Sequence, residues 1–213
     1  MSRQYRTISG EASAEIEVKR SRFRCDLTRV ATEEAAREAI ARARAEFWDA
    51  RHHCSAFVLG PAGDPGSMER SSDDGEPAGT AGAPMLEVLR GAELRDVVAV
   101  VTRWFGGTLL GAGGLVRAYS DSVRASVEVA PIQRRELVTE VEVTLGEDGY
   151  VRAGRLEADL RARGIAVLDV AYAERVTFLL GTPGEPGELA AQIAGLTAGT
   201  ANTRVHRTTW VDR

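Results

Sequence analysis

Three carboxylates crowd into four residues of this chain: Asp73, Asp74 and Glu76, in the run Ser72-Asp73-Asp74-Gly75-Glu76-Pro77. Carboxylates so close suit general acid–base work or oxygen ligation of a magnesium ion. They suit equally a loop whose side chains accept backbone N–H bonds and pair with nearby cations. A catalytic reading needs a nucleophile, and the neighbourhood offers none better than Ser72 or Thr80. No catalytic residue is assigned on this ground.

A second group of chemically able side chains is Arg51-His52-His53-Cys54. Imidazole beside thiol raises the question of zinc, which takes three or four ligands at characteristic spacing. No second Cys or His motif accompanies it, and His206 lies far downstream, so no metal site is assigned. A third group is Arg103-Trp104-Phe105, followed by Gly106, Gly107, Gly111, Gly113 and Gly114. Glycines at the opening of a helix leave bare N–H groups, which suit an anion. Known phosphate loops are excluded, because Gly106-x4-Gly111 lacks the following Lys-Ser/Thr. Gly111-Ala112-Gly113 lacks the third glycine of a dinucleotide fold, and Ser72 and Ser120 are not in a nucleophile elbow. No cofactor is indicated.

These groups need elements to position them. Val97 to Val101 is a short β-branched apolar run, the pattern of a central strand covered on both faces. Helices are expected from Ala83 to Leu89 before it and from Leu115 to Val127 after it. Upstream, Tyr5–Ile8 and Ala14–Val18 read as strands, and Lys19–Val30 as extended chain with Phe23, Cys25 and Leu27 inward. That alternation puts Arg20, Arg22 and Arg24 on one face, where like charges need partners or solvent. Thr32 is the expected cap of a helix using Ala36, Ala39, Ile40, Ala43 and Phe47 as its buried face. Arg51–Leu59 reads as a strand with Arg51 and His53 on one side, and Gly60–Ser71 as a mobile loop.

Beyond Ala130-Pro131 a second unit begins: a strand over Leu137–Leu145, a helix opened by Asp148, strands Ile165–Tyr172 and Arg175–Leu180, a helix Glu185–Ala194 and a strand Thr203–Val211. This βαββαβ order is that of a ferredoxin-like unit. The expected domains are therefore 1–131 and 132–213, in an α+β chain.

The chain has 213 residues, 44% of them hydrophobic, enough for such cores. A net charge of −4 excludes a wholesale basic surface while leaving room for a local basic groove. Two cysteines, an N-terminus without an apolar core and no membrane-length run point to the cytoplasm.

Taken together, Asp73–Gly82 and the run Val100-Val101-Thr102-Arg103-Trp104-Phe105-Gly106-Gly107 to Tyr119 resemble the signature of the YigZ/IMPACT family. Lys19–Phe23 and Arg51–Cys54 match it as well, so the resemblance spans most of residues 15–130. It implies a first domain like domain IV of elongation factor G and a ferredoxin-like second domain. It also implies a translation-linked protein whose partner is RNA, the ribosome or a protein of the translation machinery. In that light Arg20, Arg22, Arg51, His53 and Arg103 are expected to contact phosphate, with a second anion site at Gly106, Gly107, Gly113 and Gly114. Trp104 or Phe105 would stack on a base. Asp73, Asp74 and Glu76 fit awkwardly, since they would repel phosphate. The alternatives are a hydrolase built on those acids with His52 or His53, and a peptide-binding module. On the binding reading, Arg103→Ala should weaken binding without lowering the thermal midpoint.

Overall fold

A computed structural model of the chain describes residues 3–146 and 149–213. They divide into two compact α/β units, Met1–Arg134 and Arg135–Arg213. The first contains β1 (Gln4–Ile8), β2 (Glu11–Val18), β3 (Ser21–Arg29), α1 (Glu33–Glu46), β4 (His52–Leu59) and β5 (Met68–Ser72). It continues with α2 (Gly82–Gly91), β6 (Val97–Trp104) and α3 (Ala112–Val129).

The sheet runs β2-β3-β6-β4-β5, with every neighbouring pair antiparallel. The apolar run of β6 lies at its centre. Val97, Ala99 and Val101 face a core shared with Met85, Leu89, Leu115 and Tyr119 of α2 and α3. Val98 and Val100 face the other way, against Ala36, Ala39 and Ala43 of α1. Removing each such valine side chain from water contributes about 1.5 kcal/mol or more. Thr32 caps α1 by accepting the Ala35 N–H, and Phe47 ends the helix instead of extending its buried stripe.

Three local expectations change. Lys19 and Arg20 adopt φ of 48° and 67°, so the chain reverses there and Val18 pairs with Ser21. Such two-residue turns usually carry Asn-Gly, and the Lys-Arg pair gives no such signal. Met68–Ser72 pairs with β4 as an edge strand within what reads as a loop. Strand β6 extends through Arg103 and Trp104, and α3 begins at Ala112, which places Gly113 and Gly114 inside its first turn.

The second unit takes most of β7 (Ile132–Thr144), then α4 (Gly149–Ala162), β8 (Ala166–Tyr172), β9 (Val176–Thr182), α5 (Pro186–Thr197) and β10 (Asn202–Asp212). Its strands lie in the order β10-β7-β9-β8, all antiparallel. This is the split βαβ arrangement. Its core gathers Val141, Val143, Leu156, Leu160, Phe178, Leu180 and Ile193. Asp148, the expected opener of α4, lies outside the described residues.

Candidate functional site

The acidic run forms a loop whose carboxylates turn onto their own backbone and the sheet. Asp73 Oδ2 accepts the Gly79 N–H at 2.8 Å, and Oδ1 accepts those of Ala81 and Gly82 at 3.0 and 2.8 Å. Desolvation works against its ionised form. The three N–H donors outweigh that effect and hold the carboxyl below its ordinary value. Asp74 joins three elements. Its Oδ2 accepts the His53 N–H at 2.7 Å, its Oδ1 meets Arg44 of α1 at 2.5 Å, and its carbonyl lies 2.8 Å from His52 Nδ1.

Glu76 reaches furthest in. Its Oε1 accepts from Arg103 Nη1 at 2.5 Å and from the Tyr119 hydroxyl at 2.7 Å. Cys54 Sγ lies 3.3 Å from that hydroxyl and 3.0 Å from the Asp73 carbonyl. Burial pushes the Cys54 thiol up to about 12 and raises the Tyr119 phenol as well. Both stay protonated at neutral pH and serve as donors, so Cys54 is not a thiolate nucleophile. The acids are thus occupied in fixing one loop to β4, β6, α1 and α3. Among the described residues no group of three or more His, Cys, Asp or Glu is placed to hold a metal ion.

Three residues expected to meet phosphate face other protein groups. Arg103 is buried in its pair with Glu76, with its guanidinium over the Phe23 and Phe105 rings at 5.3 and 5.8 Å. A side chain so enclosed supports the fold, so Arg103→Ala is expected to lower stability as well. His53 is buried beside α1, with Nε2 3.2 Å from the Phe47 carbonyl. Gly106 gives its N–H to Ser21 Oγ at 3.1 Å, and a Cβ there would fall 2.0 Å from the Arg20 carbonyl carbon. It is glycine because the β2–β3 turn passes directly over it.

The remaining residues collect at one end of the sheet. The β2–β3 turn carries Lys19 and Arg20, and Arg20 Nη2 donates to Thr108 Oγ1 at 3.1 Å. The link between α1 and β4 carries Trp48 and Arg51, whose N–H donates to the Arg103 carbonyl at 3.3 Å. The link between β6 and α3 carries Phe105, Gly107 and Leu109, and ends at Gly111, the N-cap of α3, where no side-chain cap bond is made among the described residues. Gly113 is exposed and Gly114 half-buried in that first helical turn. Arg22 lies across the Trp104 ring at 4.3 Å, with Glu15 at 3.9 Å, while Glu15 and Glu17 of β2 stand opposite Arg24 and Arg22. That sheet face is therefore close to neutral. Among the described residues Lys19, Arg20 and Arg51 have no carboxylate partner.

Trp104 donates its indole N–H to Asp49 Oδ2 at 3.0 Å and packs edge-on against Phe47, so its ring is engaged within the protein. Exposed aromatic surface comes instead from Phe105, 46% exposed, and from Trp48, 81% exposed. Sequence reasoning passed over Trp48. Its signal was position, since it follows Phe47 and falls off the Ala36-Ala39-Ala43 stripe. Arg44 and Tyr119, the partners of the acids, carry no local sign of that role.

Comparison with known proteins places this geometry among relatives. The Impact N-terminal domain family matches residues 19–127. YvyE of Bacillus subtilis, an IMPACT family member, is 41% identical over 174 residues, covering 82% of this chain and 77% of its own. YigZ of Escherichia coli, also an IMPACT family member, is 48% identical over 124 residues, 58% of this chain and 60% of its own length. A crystal structure described as that of an hypothetical protein is similar across 95% of this chain and 97% of its own. Its TM-score is 0.64 and its sequence identity 34%.

Proposed function

The chain belongs to the IMPACT family, and on that premise we propose that it is a cytoplasmic, translation-linked regulator that binds RNA or the ribosome. The observation that carries this reading is the sorting of charge in the first unit. Asp73, Asp74 and Glu76 are turned inward onto their own partners, while Lys19, Arg20 and Arg51 are left without carboxylates beside exposed aromatic rings. Phosphate contacts would come from Arg20, Arg51 and the outer edge of Arg22, with Gly107, Gly113 and Gly114 offering N–H groups nearby. Arg103, His53 and Gly106 act by holding the loops that carry these residues. The role is one of binding, because each of the three carboxylates is tied to neighbouring groups of the protein.

The test is cosedimentation with ribosomes over a series of salt concentrations, comparing the wild type with an Arg20→Ala/Arg51→Ala double variant. Binding should weaken with salt, and the double variant should flatten the log–log slope by about 1.4 for two lost single-strand phosphate contacts. Ribosome association with no salt dependence would favour a protein partner of the translation machinery. Absence of any association would remove the reading.

A further inference from the structure

Resting on the reading above, we infer that the loop end of the first unit is a stacking platform for unpaired bases, so that its ligand is single-stranded RNA. Three large apolar side chains stand exposed in the links at this end. Trp48 is 81% exposed, Leu109 83% and Phe105 46%. Trp48 projects from a short link that is fixed at several points. The Ala50 N–H donates to the Phe47 carbonyl at 3.0 Å, Asp49 accepts the Trp104 indole at 3.0 Å, and the Arg51 N–H meets the Arg103 carbonyl at 3.3 Å. Its backbone is therefore ordered while its ring faces water. Phe105 is positioned from beneath, with the Arg103 guanidinium 5.8 Å from its centroid and Glu76 fixing that guanidinium. Two aromatic rings are thus open to solvent on backbone held by hydrogen bonds.

The charge around the rings narrows the partner. Lys19, Arg20 and Arg51 have no carboxylate partner among the described residues, so the rim of the platform is cationic. Open π-faces beside uncompensated cations are what a flexible phosphate chain with splayed bases requires. A duplex presents the phosphates but hides its base faces within the stack, leaving Trp48 and Phe105 nothing to contact. Arg103 is then a positioning residue that acts through Phe105.

The experiment is fluorescence anisotropy of the full chain with a short labelled oligouridylate and with the same strand paired to oligoadenylate. The variants are Trp48→Ala and Trp48→Phe. Single strand should bind more tightly than duplex, and Trp48→Ala should weaken it roughly tenfold, the loss of one base–aromatic stack. Trp48→Phe should restore most of that loss, and the thermal midpoint should stay constant because Trp48 supports no core. Duplex binding as tight as single-strand binding, or a Trp48→Ala variant that binds unchanged, overturns the inference. If ribosome cosedimentation persists in that event, the translation-linked reading stands and only the platform falls. Loss of both removes both.

Discussion

The Arg103 guanidinium and the Glu76 carboxylate form an ion pair, Nη1 to Oε1 2.5 Å, with side chains only 7% and 4% exposed. Each charge has been taken out of water, and Arg103 Nε has no partner among the described residues. Such a pair adds little over an apolar pair of equal volume, but breaking it strands a buried charge. Arg103→Ala and Glu76→Ala are each expected to cost about 3–5 kcal/mol in urea denaturation. The double variant should lose clearly less than the sum. Additive losses would show that the two side chains are not coupled.

Asp73 acts on a smaller scale. It gathers the N–H groups of Gly79, Ala81 and Gly82, two of which sit at the opening of α2, where an anion is favoured. Asp73→Ala leaves three donors to solvent and should cost about 1–3 kcal/mol, discounted for the loop's partial exposure. Its folded-state carboxyl is held below the ordinary value of 3.8, so the unfolded chain takes the proton first as pH falls. The contribution is complete above pH 3.8 and is lost as pH drops through the folded value. Chemical denaturation of wild type and variant should therefore converge in acid.

The layout of the fold was legible where local pattern and global position agree. The β6 run from Val97 to Val101 announced a strand covered twice, and the Thr32 cap announced α1. The βαββαβ order of the second unit followed from alternation and turn residues alone. The site was less legible, because its meaning lies in pairings across the sheet. Arg103 looks like any cation after a strand until Glu76, 27 positions away, is seen to enclose it. Gly106 looks like an anion-binding glycine until the Lys19-Arg20 turn is seen to cross it, and that turn lacks the Asn-Gly signal. Trp48 was hidden by its neighbour Phe47, which closes the helix and drew the apolar reading to itself.

The two kinds of glycine in the β6–α3 segment can be separated by substitution. A Cβ on Gly106 would lie 2.0 Å from the Arg20 carbonyl carbon and 2.3 Å from the Ser21 nitrogen, both backbone. Gly106→Ala must therefore displace the hairpin and should cost about 3 kcal/mol, the upper end of overpacking. At Gly113 nothing lies within 4 Å of an added Cβ, and the residue is helical. Gly113→Ala should be neutral or stabilising by up to about 1 kcal/mol, chiefly through the unfolded chain. Thermal midpoints moving in opposite directions would support this division, whereas equal losses would place both glycines in the same role.

His53 links α1, β4 and the acidic loop, and its burial sets a pH dependence. Burial lowers its pKa from the ordinary 6.5, against the opposing pull of the Phe47 carbonyl and the Asp74 carboxylate. The neutral ring meets the Phe47 carbonyl, 3.2 Å away, by donating from Nε2–H, and the backbone N–H bond to Asp74 is independent of ring protonation. As pH falls below 6.5 the unfolded imidazole protonates before the folded one, so stability declines with falling pH through the folded value. His53→Gln keeps an amide donor for Phe47 but removes the titration. The thermal midpoint of the variant should therefore change less between pH 7 and about pH 5 than that of the wild type. Identical slopes would assign the acid sensitivity in this range to other groups.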